Sequence, residues 1–418
     1  MLTDEKPVPW SLEEGDSRQP GGNFWPAMIF WASIMGLLCL SMIMIHSATI
    51  MDRGGSIFMS QVIWVSLGMV AAVAMAIMPV NWLRKYSAYG MVAIIIPLIY
   101  LAVAYAAMKL SPGALKFFPF VPTIKGAVRW LRFPCPGLGN IQIQPSEFAK
   151  LFLLLYLSSY DGSITRSQCK EFRRGVLVPS VLAGTLCVLV LLGKDLSTTV
   201  VIGLTYFVIM YLAGVRFRYL LAIIAIGAVV GGAAIMLSPE RVSRVTSYRA
   251  PETFKDDKSY QLWRSQLALG SGGMYGRGFS KGVIKTYLPE QHTDFIVAVM
   301  GEELGFLAVA GALVLYAFIF LSASWVGFGS RERPDLLLCV GIGAMLAIQA
   351  LINISVVSGW CPTTGVTAPF LSYGGSSMVM TLALAGLVMN VSIRNSRADM
   401  REMENSRCYL TIGGREPY

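Results

Sequence analysis

Apolar runs of about twenty residues recur along the chain, divided by short polar turns and two long polar stretches. Each run is long enough for a helix to cross the roughly 30 Å hydrocarbon core of a bilayer. The pattern predicts ten spans, at roughly 25–50, 57–79, 86–108, 146–160, 175–193, 196–214, 218–237, 294–323, 334–358 and 368–393. The narrowest break lies between the fifth and sixth, where only "LLGKDLS" intervenes. The expected fold is an all-α integral membrane protein of about ten transmembrane helices. Residues 1–24 form a polar tail, 25–394 the membrane domain, and 395–418 a second tail. Two long loops, 109–145 and 238–293, interrupt the domain, and loops of such length tend to carry function or cover a site.

Composition sharpens the class. Of 418 residues, 55% are apolar and 14% charged, against about 25% charged in a soluble domain, and mean hydropathy is +0.60. The net charge of +10 does not indicate nucleic acid, because the cations are scattered through short loops and form no single patch. They follow the orientation rule for membrane proteins instead. One set of short loops holds Arg84, Lys85, Arg166, Lys170, Arg173, Arg174, Arg216, Arg218, Arg331 and Arg333. The opposite short loops hold Arg53 and Lys194. Ten against two places the first set, and with it both termini, in the cytoplasm, and the two long loops outside. No cleavable signal peptide is expected, since the first apolar run follows a polar segment and is too long for a signal core. The seven cysteines form no C-x2-C pair. Cys135 and Cys361 both fall on the external side, which leaves a disulfide between them open in an oxidising compartment. No internal repeat is evident, which disfavours the inverted-repeat transporter folds.

Candidate chemistry sits at the external ends of the spans. "LPEQHTDFIVAVMGEELGF" opens the eighth span with His292, Thr293 and Asp294 and carries Glu302 and Glu303 farther on. Thr293 or Asp294 could cap the helix, where an early acid suits the dipole. Asp294 could equally be a functional acid beside the largest loop. On an unbroken helix, Glu302 and Glu303 lie about 12 Å deeper, and acids at that depth face a cavity or a partner. In "GAVRWLRFPCPGLGNIQIQPSEFAKLFLLLYL", Pro145 starts a helix and places Glu147 and Lys150 on one face, three residues apart. They form either a local ion pair or, with Arg129, a cationic lining for a phosphorylated ligand. "SGWCPTTGVTAPFLSYGGSSMVM" packs prolines, glycines and hydroxyls between two spans. Non-helical backbone at membrane depth is tolerated only where it is buried in protein or lines a cavity. "GSGGMYGRG" has the spacing of a nucleotide loop but lacks the G-K-[ST] ending and follows no strand. Lys194 and Asp195 share a very short turn and could satisfy each other.

These stretches together resemble one family. "GAVRW", "IQPSEFAKL", "SYQLWRSQLALGSGGMYGRGF", "LPEQHTDFIVAVMGEELGF" and "PFLSYGGSSM" are similar to the hallmarks of the SEDS proteins, which include FtsW and RodA. The likeness covers roughly residues 30–394, in order. "YLPEQHTDF" and "CPTTGVTAPF" look closer to the FtsW branch. The resemblance implies a ten-helix fold and peptidoglycan glycosyltransferase activity on lipid II, a disaccharide-pentapeptide on undecaprenyl pyrophosphate, with a class B penicillin-binding transpeptidase as partner. It makes Asp294 the catalytic residue and carries Arg129, Glu147 and Lys150 over as site residues. Asp195 is retained where "KDLS" departs from the family's P-D-L-G turn. Gln261, His292, Thr293, Ser372, Ser376 and Ser377 lie in the matching motifs and are expected to face substrate.

The residues suit an inverting glycosyl transfer. Asp294 would act as general base on the acceptor hydroxyl. Arg129 and Lys150, with a divalent cation such as Mg or Mn, would stabilise the departing pyrophosphate. Two rival classes fit parts of the pattern. A transporter of lipid-linked precursors would also use buried charges and broken helices. A scaffold that only recruits a transpeptidase would tolerate loss of Asp294.

Overall fold

The computed structural model describes residues 24–49, 55–111, 116–123, 127–135, 139–249 and 259–412. Helices dominate. In chain order they are α1 (Phe24–Thr49), α2 (Ser56–Ile77), α3 (Val80–Leu110), α4 (Pro145–Ser163), α5 (Arg166–Cys169), α6 (Val178–Leu192), α7 (Leu196–Leu212), α8 (Phe217–Met236), α9 (Pro239–Arg249), α10 (Tyr260–Gly272), α11 (Ile296–Phe328), α12 (Arg333–Val357) and α13 (Gly375–Ile412). Each of the ten predicted spans has a helix. Eight of these are long and apolar enough to cross a membrane, α6 counting together with the π-helical turn Phe172–Leu177 before it. The chain is therefore a multi-pass membrane protein.

The remaining two, α4 and α7, are short or less apolar because they are interior. Along α4 the buried set includes Glu147, Lys150, Ser158 and Asp161 among leucines. A helix walled by protein need not be uniformly greasy. With α12 and α13 it forms the centre of the bundle: α12 is 72% buried over its most apolar stretch, whereas α8 is 6% buried and packs mainly on α7 and α9. The turn between α6 and α7 is as tight as the sequence implies, and Lys194 takes a left-handed conformation there (φ 66°).

Two features were not expected. The 109–145 loop contains a hairpin of β1 (Leu131–Cys135) and β2 (Gly139–Ile143), with Phe133 opposite Ile141. Second, α11 is interrupted at Gly305, whose φ of 81° and ψ of −175° lie outside the helical region. The part beyond the break, 306–328, is about 34 Å long at 1.5 Å per residue and spans a bilayer alone. Its outward stripe of Leu307, Val314, Phe318, Leu321, Trp325 and Phe328 is exposed, as a lipid-facing helix requires. Residues 296–303 before the break are instead wholly buried. The depth assigned to Glu302 and Glu303 on an unbroken helix is thus corrected: both belong to a protein-enclosed half-helix that precedes the spanning part.

The loops sort to two ends. At one, Arg84 is forked between Glu332 and Asp335, and Arg394 also reaches Asp335. Arg331 pairs with Asp399, at 3.2 Å, and with Glu402, because α13 continues past residue 394 to Ile412. Arg333 donates to the carbonyls of Ile164 and Ala213, at 2.8 and 2.6 Å. This end gathers the loops that the charge rule grouped together. The candidate chemistry lies at the other end. Cys361 there is exposed with a free thiol, so it forms no disulfide; the side chain of Cys135 and the N-terminal tail 1–23 lie outside the described residues.

Candidate active site

The segment 361–374 runs without regular structure across the ends of α4, α7 and α12 and connects two polar clusters. Asp294 anchors one of them. Glu290, at φ 57°, turns the chain so that its carbonyl accepts from Thr293 N at 3.1 Å and Phe295 N at 3.4 Å. Its carboxylate also accepts from Thr293 Oγ1 at 3.0 Å. Phe295 occupies the N-cap of α11, so neither Thr293 nor Asp294 is the cap residue. Asp294 is partly exposed. A Cβ at Gly365 would lie 3.4 Å from its Oδ2, and Gly365 adopts φ +79°, so the carboxylate rests beside bare backbone. Asn353 Nδ2 donates to the Asp294 carbonyl at 2.8 Å and to Val366 O at 2.6 Å. Tyr373 N donates to His292 O at 2.8 Å, and their rings meet edge to face at 5.7 Å. A cavity of about 460 Å³, lined by Tyr260 and by residues 286–292, opens beside this turn. Gln261 follows Tyr260 in the first turn of α10 and is half-buried outside that lining.

The second cluster surrounds Asp195, the N-cap of α7. Its carboxylate accepts from Thr198 N at 3.2 Å, Thr198 Oγ1 at 2.9 Å and Gln144 Nε2 at 2.8 Å. Arg129 Nη1 lies 3.9 Å from Asp195 Oδ1, while Nη2 donates to the Lys194 carbonyl. Asp195 therefore pairs with Arg129, across the turn from its neighbour Lys194. Ser197 Oγ donates to Thr364 O, and Ser376 Oγ accepts from Gln144 N at 3.4 Å. The first bond fastens the 361–374 segment to this cluster, and the second ties the first turn of α13 to it. Arg129 Nε and Thr364 Oγ1 are buried with no hydrogen-bond partner among the described residues. Buried donors are nearly always paired, and these two leave polar groups along the seam that a polar ligand could satisfy.

Glu147 and Lys150 sit below this seam. Lys150 Nζ donates to Glu147 Oε1 at 2.9 Å and to Gln349 Oε1 at 3.2 Å, and Gln349 Nε2 donates to Thr367 O at 3.2 Å. Lys150 is 3% exposed and Glu147 6%. The ion-pair reading of the sequence describes this geometry, and the ammonium is turned away from the surface of the site. Ser372 is buried, accepting from Ala368 N at 2.8 Å to close the turn ahead of α13. Ser377 lies in the first turn of α13, where its carbonyl accepts from Thr381.

Sequence reasoning missed Gln349 and Asn353. They are four residues apart, on one face of α12, and tie α4, Asp294 and the 366–367 backbone together. Uncharged amides inside an apolar run are a weak signal, although polar groups at membrane depth usually have a purpose.

Glu302 and Glu303 are answered by different partners. Glu302 accepts from the backbone N–H groups of Val283, Ile284 and Lys285 at 2.7, 2.8 and 3.0 Å. Glu303 accepts from Lys285 Nζ at 2.6 Å, Ser47 Oγ at 2.6 Å and Ser280 N at 3.1 Å. Both carboxylates are fully buried. They fix the 276–288 segment against α1 and the broken turn of α11. The glycines of "GSGGMYGRG" serve that contact and no nucleotide: a Cβ at Gly276 would sit 2.1 Å from Glu303 O.

Among the described residues no three His, Cys, Asp or Glu side chains converge as a metal cage. A cation held by the protein alone therefore has no three-ligand site among them.

Comparison with known proteins agrees with the motifs. The family model FTSW_RODA_SPOVE, "Cell cycle protein", matches residues 24–397. A probable peptidoglycan glycosyltransferase FtsW of Geobacter sulfurreducens is 33% identical, covering 86% of this chain and 93% of its own. The Coxiella burnetii protein of the same description is 35% identical over 86% and 94%. A chain in a solved peptidoglycan synthase complex superposes with a TM-score of 0.70 at 26% identity, covering 88% of this chain and 97% of its own. Thermus thermophilus RodA superposes with a TM-score of 0.62 at 26% identity, over 88% and 96%.

Proposed function

The chain belongs to the FtsW/RodA/SpoVE family, and on that premise we propose that it polymerises lipid II into glycan strands during cell division. It is a peptidoglycan glycosyltransferase. The observation that carries the site assignment is the setting of Asp294: a partly exposed carboxylate beside the Gly365 backbone, held through its own carbonyl by Asn353.

Asp294 accepts the proton of the acceptor sugar hydroxyl as that oxygen attacks the anomeric carbon of the donor. The glycosidic C–O bond forms on the opposite face from the leaving group, so the configuration inverts. The C–O bond to the lipid pyrophosphate breaks, and the electron pair leaves with the pyrophosphate. Arg129, with its orphaned Nε and partly exposed side chain, meets that developing charge. A charge-assisted bond to phosphate is among the stronger interactions a side chain offers. Glu147 and Lys150 support the seam from below without touching substrate. Gln261, His292, Thr293, Ser376 and Ser377 border the sugar path. Ser372 shapes the turn behind it.

The ten-to-two distribution of short-loop cations supports an external site and cytoplasmic termini. A partner transpeptidase of the class B penicillin-binding type follows from the family, and one structural relative lies in a peptidoglycan synthase complex. The experiment is polymerisation of lipid II by the purified chain in liposomes, with the substrate supplied on one face. Glycan polymer from externally added lipid II, without movement of lipid II across the bilayer, supports the assignment. Lipid II transfer without polymer would show a transporter.

A further inference from the structure

The cations at the end opposite the site divide into two groups. On the α3, α12 and α13 side, Arg84, Arg331 and Arg394 are consumed inside the protein, facing Glu332, Asp335, Asp399 and Glu402, while Lys85, Arg397 and Arg401 stay exposed. On the α5 and α8 side Arg166 has a partner, but four of the other cations have none among the described residues. Lys170, Arg173, Arg174 and Arg216 are exposed, and their side chains enter no hydrogen bond or ion pair among the described residues. Arg218, also exposed, stacks over the Tyr219 ring at 4.8 Å. Glu171 is the one exposed acid between Lys170 and Arg218.

These residues form one surface, although they come from two loops. The Phe172 and Tyr219 rings lie 5.5 Å apart. Arg333 ties both loops from beneath through Ile164 O and Ala213 O. Two large aromatics stand exposed among the cations, Phe172 at 54% and Phe217 at 66%. Each marks the start of an apolar span, Phe172–Leu192 and Phe217–Met236, so the patch lies at headgroup level.

The geometry points to a binding site for an anionic phospholipid, its headgroup bridging Arg173 and Arg174 to Arg216 and Arg218. Cations and aromatics interleaved at a span boundary match a phosphate with acyl chains below it. An acidic protein segment would find the cations but has no use for aromatics facing the hydrocarbon. The site also answers a weakness of the fold. Helix α8 buries only Leu220 in the protein, so its position depends on what surrounds it, and a lipid held at its first turn pins that end.

The test is native mass spectrometry of the full chain released from nanodiscs of equal phosphatidylglycerol and phosphatidylcholine. The wild type is expected to retain phosphatidylglycerol preferentially. Arg173→Gln/Arg174→Gln and Arg216→Gln/Arg218→Gln are each expected to reduce that retention by about tenfold. Arg331→Gln, whose partner is Asp399, is expected to retain it fully. Arg173→Lys/Arg174→Lys keeps the charge and should keep most of the lipid, which separates lost binding from lost folding. Equal retention of both lipids by the wild type, or unchanged retention in both glutamine variants, overturns the proposal and leaves the patch to an acidic protein partner. Neither result bears on glycosyl transfer, which is assayed at the opposite end.

Discussion

The carboxylates between residues 290 and 303 occupy two contrasting settings. Glu302 and Glu303 are enclosed and saturated, each with at least three donors from backbone, hydroxyl or ammonium. Asp294, about two turns earlier, is half-exposed and faces bare backbone at Gly365. A fully buried carboxylate with three protein donors is closed to substrate, whereas a partly exposed one can be reached from outside the protein. The difference separates acids that hold the fold from the acid proposed to react, within one motif.

The largest expected effect falls on the saturated side. Lys285→Ala strips Glu303 of its cation in a site closed to water, and breaking a buried pair costs about 3–5 kcal/mol. Thermal unfolding of the purified variant should show a large loss of stability, with activity falling in proportion to folded protein. If Lys285→Ala were as stable as the wild type and inactive, the division between structural and reacting acids would fail. Lys150→Ala should destabilise similarly by orphaning Glu147, whereas Glu147→Leu with Lys150→Met should recover much of the loss, since an apolar pair of like volume can replace a buried ion pair.

Asn353→Ala tests the boundary between the settings. It removes the donor shared by Asp294 O and Val366 O. Loss of such bonds costs about 1–3 kcal/mol. The expected signature is a roughly tenfold lower kcat with little change in KM, since the carboxylate is misplaced while the substrate contacts stay. A rise in KM alone would assign Asn353 to binding.

The smallest effect lies at the far end. Partial burial pushes the Glu332 carboxyl up, but the hydrogen bond and charge of Arg84 outweigh it and hold the group below the ordinary range. A lowered carboxylate contributes stability that is present at neutral pH and lost as pH falls through its folded value. Glu332→Gln should therefore cost under about 1 kcal/mol at pH 7, and the difference from wild type should shrink as pH falls below the ordinary carboxylate range and vanish once it passes the lowered folded value. A difference that persisted there would show that charge is not its source.

Much of this was legible in the sequence. Apolar length located the eight helices that can cross a membrane, because the bilayer fixes the length an element must have, and helices α4 and α7 lie at the other two predicted positions. The loop cations grouped loops that the Arg84, Arg331 and Arg394 network gathers at one end. The break at Gly305 was not legible, since "GEELGF" has the composition of continuous helix and only contact with the 273–278 backbone reveals the interruption. That omission misplaced Glu302 and Glu303 in depth. The hairpin at 131–143 was also hidden, as its prolines and glycines read as loop. Gln349 and Asn353 were not legible because their distant partners, Lys150 Nζ and the Asp294 carbonyl, lie 199 and 59 residues away in sequence. The ion pair of Glu147 and Lys150 was visible from spacing, but whether it faced the ligand depended on burial that no local pattern carries.

The most direct test of the central claim compares Asp294→Asn with the wild type in one preparation, measuring lipid II polymerisation and thermal unfolding together. The account predicts no detectable polymer and an unfolding temperature within a few degrees of the wild type, because Asp294 is neither the helix cap nor a buried partner. Polymerisation at the wild-type rate by folded Asp294→Asn would contradict it.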